Sequence, residues 1–113
     1  MNLLRKTCVP CKKGAAPLSQ DRARELAREV PGWTLSRKKP RLEREFRFAD
    51  FAAAMKFVDK VARLAEKEGH HPDIQIHYDR VTLVLWTHAI NGLSENDFIV
   101  AAKINTLKAS KAA

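Results

Sequence analysis

Residues 66–97 read EKEGHHPDIQIHYDRVTLVLWTHAINGLSEND and hold every histidine of the chain: His70, His71, His77 and His88. Gly69 is typical of a helix end, and Pro72 biases the residue before it towards an extended backbone. The rings of His70 and His71 should therefore leave the backbone in different directions. One ring can then act on a ligand while the other holds it.

The residue types in this stretch favour proton transfer. Imidazole changes charge near neutral pH, so it can give or take a proton. A predicted strand ends at Thr87-His88 and brings a further imidazole towards the pair. The stretch contains no nucleophile paired with a base and no glycine-rich phosphate loop. We therefore expect acid–base chemistry on a small uncharged group.

The longest predicted helix leads into this stretch. Apolar residues recur at intervals of three and four between positions 51 and 65, Asp50 can cap the start, and Gly69 ends the helix. This spacing places Glu66 one turn before His70, where a carboxylate would orient the ring and favour its protonated form. The alternative is a solvated Glu66 beside neighbouring basic residues.

A β-hairpin is predicted next, with strands at 74–78 and 81–88. Alternation puts apolar side chains on one face of each strand: Ile74, Ile76 and Tyr78 on the first, and Val81, Leu83 and Leu85 on the second. On the second strand, Val84 and Trp86 are apolar on the opposite side. The helices of one small domain can leave this second face uncovered, so the pattern predicts self-association through it.

Shorter elements flank the hairpin and the long helix. Ser19 caps a predicted helix that runs to about Val30, residues 33–35 and 42–48 are predicted strands, and Ser94 begins a final helix. The order is helix, two strands, helix, two strands, helix. We predict an α+β fold (αββαββα) in which a four-stranded antiparallel sheet carries three helices on one face.

Asp97 has two candidate roles. Ser94 and Asp97 have the spacing of a capping box, and acidic residues in a first turn suit the helix dipole. A carboxylate at this helix start would also lie near the loop that carries His88, where it could touch an imidazole ring. The two roles are compatible.

Length and composition predict one domain without a membrane segment. The chain has 113 residues, 45% hydrophobic and 30% charged, which suits a single modest core. We divide it into an irregular arm at residues 1–17 and one domain at 18–113. The start is too short and too charged for a signal peptide, so a cytoplasmic protein is the default. Basic and acidic residues alternate after residue 41, so the net charge of +8 predicts neither a nucleic acid nor a membrane partner.

Two features have residue types that can bind a metal ion. Cys8 and Cys11 have the spacing of half a zinc site, but no second pair follows, and we expect exposed thiols on the arm. Side chains adjacent in sequence, such as His70 and His71, do not easily converge on one ion. We predict no metal and no cofactor.

The histidine-rich stretch resembles the signature of the pterin-4a-carbinolamine dehydratases. That pattern is an acidic residue, three positions, His-His-Pro, a short gap, an aromatic residue, nine positions, His, and a later Asp. It is filled here by Glu66, His70, His71, Pro72, Tyr78, His88 and Asp97. The resemblance extends from about Leu18 to Leu107 and includes Pro31-Gly32-Trp33, Phe48-Ala49-Asp50-Phe51 and Gly92-Leu93-Ser94.

The resemblance implies dehydration of 4a-hydroxytetrahydropterin to a quinonoid dihydropterin, which recycles the cofactor of aromatic amino acid hydroxylases. It implies that His70 and His88 exchange protons and that His71 mainly binds substrate. The candidate catalytic residues are thus His70, His71 and His88, and the candidate substrate-binding residues are Glu66, Trp33, Tyr78 and Asp97. Gly69 and Ala89 stand where some relatives carry acidic residues. A homodimer or homotetramer is also implied.

Two alternatives stay open. Some relatives act as dimerisation cofactors for a homeodomain transcription factor, so the chain could be a protein-binding module. The pterin could also belong to another pathway, such as molybdopterin metabolism. The intact set of histidines favours catalysis over a binding role.

Overall fold

The structure is a computed structural model that describes residues 2–10, 15–36 and 39–109. In these residues three α-helices are separated by two pairs of β-strands. The helices are Gln20–Ala27 (α1), Phe51–Glu68 (α2) and Glu95–Ala109 (α3), and the strands are Thr34–Leu35 (β1), Leu42–Arg47 (β2), Asp73–His77 (β3) and Arg80–Leu85 (β4). The order αββαββα confirms the predicted fold class. No helix in the described part of the chain is both long and apolar enough to cross a membrane.

The sheet has the strand order β1-β2-β4-β3, and all neighbours are antiparallel. In β4 every second side chain is buried (Val81, Leu83 and Leu85), and in β2 Leu42 and Phe46 are buried with the half-buried Arg44 between them. The buried apolar side chains form one core cluster with the buried faces of the three helices. Alternation with a period of two therefore separates a core face from a more exposed one, as a half-covered antiparallel sheet requires.

Helix α2 determines where the first two histidines lie. Its start is capped by Asp50, whose Oδ1 accepts a hydrogen bond from the Ala53 amide at 2.8 Å. Its end is set by Gly69, which adopts the left-handed conformation at φ 67° that glycine tolerates best. The buried stripe is Ala54, Phe57, Val61 and Ala65. The chain then turns sharply into His70 and His71.

The hairpin ends earlier than its sequence pattern predicts. β4 stops at Leu85, and His88–Ile90 form a short 3-10 turn that Asn91 closes with φ 49°. The cause is local pairing, because Thr87 and Gly92 exchange backbone hydrogen bonds of 2.8 and 3.3 Å. His88 is therefore presented by a loop instead of a strand. α1 likewise ends at Ala27, before the predicted Val30.

The predicted apolar face of the first hairpin strand, with Ile74, Ile76 and Tyr78, is exposed. All five residues of β3 are exposed, because β3 is the outermost strand and pairs with β4 alone. Phe51 and Met55 of α2 are exposed as well. By contrast, Val84 and Trp86, the predicted self-association face, are partly covered within the chain itself.

The N-terminal arm makes more contacts than its composition suggests. Leu3–Arg5 form a 3-10 turn in which Leu3 is buried in the core cluster. Cys8 is only partly exposed, so the expectation of an exposed thiol is wrong for this residue. Cys11 lies outside the described residues.

Candidate active site

A cavity of about 350 Å³ opens where the end of α2, the end of β4 and the start of α3 meet. Its lining includes three of the four histidines, His70, His71 and His88. The other lining residues are Val9, Pro10, Gly69, Pro72, Asp73, Trp86, Thr87, Ala89 and Asn96. His77 is on exposed β3 and does not line the cavity, in agreement with its polar position in the strand pattern.

His70 is paired with a buried carboxylate. Its Nε2 lies 2.6 Å from Oδ1 of Asp97, and the two side chains are 11% and 0% exposed. The other carboxylate oxygen, Oδ2, accepts hydrogen bonds from Thr87 Oγ1 and the Ser94 amide, both at 2.9 Å. Asp97 thus caps α3 and binds a histidine at once, so both candidate roles are present. Such a carboxylate fixes the orientation of the ring.

His71 is paired with an exposed carboxylate. Its Nε2 lies 2.6 Å from Oε2 of Glu66, with side chains that are 58% and 78% exposed. The sequence prediction assigned Glu66 to His70 instead. The left-handed turn at Gly69 explains the difference, because it directs His70 towards α3 and leaves His71 beside the last turn of α2.

His88 lies against an aromatic ring. Its imidazole and the Trp86 ring have centroids 3.7 Å apart and planes inclined by 39°. The guanidinium carbon of Arg41 lies 3.4 Å from the Trp86 ring centroid, and Trp86 Nε1 donates to Asp73 Oδ2 at 3.2 Å. Trp86 therefore holds His88 in place while it is itself held by two charged groups.

The predicted site residues do not include several residues that line the cavity: Val9, Pro10, Asp73, Trp86, Thr87 and Asn96. For Trp86, strand alternation predicts a place on a self-association face, opposite the core. Its position two residues before His88 is the signal that could have identified it. The predicted alternation in β4 is confirmed, and the cavity lies at the end of the face that carries Trp86.

Two predicted substrate-binding aromatics lie away from the cavity. Trp33 is buried, donates from Nε1 to Asn105 Oδ1 at 2.8 Å, and meets the Phe46 ring edge-on. Tyr78 is at the turn between β3 and β4, exposed and with φ 55°. In this chain Trp33 is a core residue, and Tyr78 stands on the surface far along the hairpin from His88.

A buried ion pair lies beside the site. Lys103 Nζ donates to Glu68 Oε2 at 2.6 Å, and the Glu68 side chain is almost fully buried. Burial by itself would raise the pKa of Glu68, but hydrogen bonds from Lys103 and the Cys8 amide outweigh it and lower that pKa below 4.5. Burial, followed by the charge of Glu68, raises the pKa of the Cys8 thiol from 9.0 to about 12. Cys8 is therefore a neutral thiol near pH 7 and a poor nucleophile.

Within residues 2–10, 15–36 and 39–109, no group of three or more His, Cys, Asp or Glu side chains is placed to hold one ion. His70 and His71 each contact a different carboxylate.

The fold and the site together define a class: an α+β domain with a histidine-lined cavity and a buried carboxylate–histidine pair. Residues 16–107 match the family model described as Pterin 4 alpha carbinolamine dehydratase. The chain therefore belongs to the pterin-4a-carbinolamine dehydratase family, whose enzymes are hydro-lyases.

Curated relatives match nearly the whole chain. A protein of Halorhodospira halophila assigned as a pterin-4-alpha-carbinolamine dehydratase is 44% identical over 109 residues, which cover 96% of this chain and 100% of the relative. A protein of Cupriavidus pinatubonensis with the same assignment is 47% identical over 104 residues, covering 92% and 90% of the two chains.

Solved structures agree with the fold. A transcriptional coactivator/pterin dehydratase from Brucella melitensis superimposes with a TM-score of 0.77 at 35% identity, covering 80% of this chain and 97% of that one. A pterin dehydratase-like protein identified as a RuBisCO assembly factor in the alpha-carboxysome superimposes with a TM-score of 0.58 at 28% identity, covering 67% and 88%.

Proposed function

We propose that the protein dehydrates 4a-hydroxytetrahydropterin to the quinonoid dihydropterin. The observation that carries this proposal is the pair of His70 and buried Asp97 in a cavity that also holds His71 and His88. In the reaction the 4a-hydroxyl takes a proton, its carbon–oxygen bond breaks, and water leaves. The N5 proton is then removed, so the proton count of the protein returns to its starting value.

His70 takes the N5 proton in this mechanism. Its Nε2 is engaged by Asp97, so Nδ1 is the ring nitrogen that faces the reaction. A buried carboxylate stabilises the imidazolium that forms when the base takes a proton, as in other histidine–carboxylate catalysts.

His88 delivers the proton to the departing hydroxyl. Its ring is exposed and held against Trp86, so it can recover its proton from water after each turnover. His71 and Glu66 hold the substrate at the mouth of the cavity. The physiological role we propose is recycling of the pterin cofactor of aromatic amino acid hydroxylases, in a cytoplasmic enzyme; a pterin of another pathway, such as molybdopterin metabolism, is the alternative substrate.

Stopped-flow loss of 4a-hydroxytetrahydropterin, with and without purified protein, tests the proposal. We expect acceleration without added metal or nucleotide, unchanged after chelation. His77→Ala is the matched control because His77 is a histidine outside the cavity. No acceleration by the intact protein would overturn the proposal, and loss on chelation with recovery on zinc would establish a metal mechanism instead.

A second candidate function is protein binding. It is favoured by edge strand β3, because the outer edge of such a strand can accept another strand. Ile74 and Ile76 of β3 and Tyr78 in the turn that follows are exposed apolar residues beside this edge. The names of the Brucella coactivator and the carboxysome assembly factor fit such a role. An inactive wild-type protein that binds a partner would favour this function; an active one would favour catalysis.

The proposed assembly is a homodimer or homotetramer, and the exposed apolar residues favour the β3 edge as its interface over the Val84 and Trp86 face. Sedimentation of wild type and Ile76→Lys distinguishes the two surfaces. The β3 interface requires an oligomer for wild type and a smaller species for the variant. A wild-type monomer at micromolar concentration would rule out both.

A further inference from the structure

The segment from Lys6 to Pro10, here called the N-terminal strap, is fixed to the start of α3. The Asn96 side chain pairs with the backbone of Val9 in both directions. Oδ1 of Asn96 accepts from the Val9 amide at 3.1 Å, and Nδ2 donates to the Val9 carbonyl at 2.6 Å. Asn96 is buried, at 6% exposure, so this contact is well shielded from water. Because Asn96 directly precedes Asp97 in the chain, the contact holds the backbone of Val9 close to the candidate active site.

Two further contacts hold the N-terminal strap. The amide of Cys8 donates to Oε1 of Glu68 at 3.0 Å, and Lys6 Nζ lies 3.0 Å from Oε1 of Glu95. Glu68 is itself fixed by Lys103. The strap is therefore attached through its backbone and through polar side chains, and none of these contacts uses the side chain of Val9.

The N-terminal strap supplies one apolar part of the cavity lining. Val9 and Pro10 line the cavity together with Trp86 and the histidines, yet residue Val9 is 64% exposed. An apolar side chain held rigidly at the edge of a cavity gains by being covered when a flat ligand binds. The match to the family model begins at residue 16, so the strap lies before that match.

We propose that Val9 and Pro10 are substrate-binding residues that cover part of the bound pterin. This inference rests on the proposed function. A pterin ring is flat, and its faces are best covered by apolar or aromatic groups, while its edges take hydrogen bonds. Trp86 also lines the cavity, but its ring is already contacted by His88 and Arg41, so the aliphatic surface that can cover a ring face comes from the strap.

Steady-state kinetics of Val9→Ala test this inference. We expect KM to rise about 4- to 15-fold, the range for losing contact with one or both of the removed methyl groups, with kcat within about twofold of wild type. Val9→Leu keeps the apolar cover and should have a KM near that of wild type. Both variants keep the backbone bonds to Asn96, so the strap stays attached.

Leu4→Ala is the matched control. Leu4 is on the same arm and 49% exposed, but it does not line the cavity, so its removal should leave KM unchanged. An active wild-type enzyme whose KM is the same in Val9→Ala would overturn the inference and leave the proposed function intact.

If the wild type is inactive, fluorescence titration with 7,8-dihydrobiopterin tests whether the strap contributes to pterin binding. Binding by wild type that weakens by a similar factor in Val9→Ala supports the strap as a pterin-binding element, even though the dehydratase function has failed. Absence of binding, or equal binding by both proteins, overturns it.

Discussion

His70 and His71 are neighbours in the chain, and each has Nε2 2.6 Å from a carboxylate oxygen, yet their surroundings differ. Asp97 is fully buried and accepts two further hydrogen bonds, whereas Glu66 is mostly in water. A pair in water is weakened by solvent and salt, and its typical contribution is about 0–1 kcal/mol. Removing one partner of a buried pair costs about 3–5 kcal/mol. The two pairs therefore have equal Nε2–oxygen distances but should contribute very different free energies to folding.

The comparison also separates the proposed roles. A ring held by a buried carboxylate is fixed in orientation before substrate arrives, which suits proton transfer. A ring at the exposed mouth can adjust, which suits holding a ligand. Each prediction below tests whether this difference between His70 and His71 is real, beginning with the largest expected effect.

The first prediction concerns the proton carriers. His70→Ala and His88→Ala should each lower kcat by about 10²- to 10⁴-fold, the usual loss when a general acid or base is removed. KM should change little, and His77→Ala should behave as wild type. The double variant is the sharper measurement, because one histidine can partly replace the other. Near-normal turnover by the double variant would point to bound water or Glu66 as the proton carrier.

The second prediction concerns the buried partner. Asp97→Ala should lower the free energy of unfolding by about 3–5 kcal/mol, because the change removes the carboxylate from His70 and leaves Thr87 and Ser94 donors without it. Urea unfolding measures the loss. Equal stability of Asp97→Ala and wild type would mean that burial does not distinguish the two pairs.

Much of the fold could be predicted because its signals are local. The three- and four-residue spacing in 51–65, the caps at Asp50 and Gly69, and the alternation in β2 and β4 are periodicities that adjacent residues determine. The exposure of β3 is different. Ile74 and Ile76 alternate like core residues, and only the position of β3 at the edge of the sheet leaves them uncovered. Strand order depends on contacts distant in sequence, so no short pattern encodes it.

The same reasoning applies to the candidate site. The spacing of the histidines and Asp97 matches a signature, and the capping pattern predicts a helix that begins at Ser94 with Asp97 in its first turn. The predicted partner of Glu66, His70, was wrong. The left-handed turn at Gly69 directs His70 towards α3 and leaves His71 beside Glu66. The contact between Val9 and Asn96 joins residues 87 positions apart, and no spacing rule anticipates it.

The third prediction concerns the exposed ring. His71→Ala should raise KM by about 3- to 10-fold with kcat little changed, as expected when one hydrogen bond to substrate is lost from ground state and transition state alike. Steady-state kinetics beside His70→Ala give the contrast directly. A fall in kcat as large as that of His70→Ala would remove the division of roles.

The fourth prediction uses a third carboxylate, Glu68, two residues from Glu66 but buried. The pKa of Glu68 is lowered in the folded protein, so this group stabilises the fold above its ordinary pKa of 4.5. That contribution should be lost as pH falls below about 4.5 towards the lower folded pKa. Urea midpoints from pH 6 to pH 3 should therefore fall more steeply for wild type than for Glu68→Gln. Parallel curves would show that the hydrogen bonds from Lys103 and the Cys8 amide do not keep this carboxylate charged in the folded protein.

The smallest effect is expected for Glu66. Glu66→Gln keeps the length of the side chain and removes its charge from the exposed pair with His71, so stability should change by about 0.2–1 kcal/mol at most. The difference between wild type and variant should shrink further in high salt, because exposed charges are screened. Kinetics give the second measurement: kcat should stay within about twofold, and KM should rise less than in His71→Ala. If Glu66→Gln instead lowers kcat by 10²-fold or more, the exposed carboxylate takes part in proton transfer. The exposed pair would then belong to the chemistry, and burial would no longer separate the roles of the two histidines.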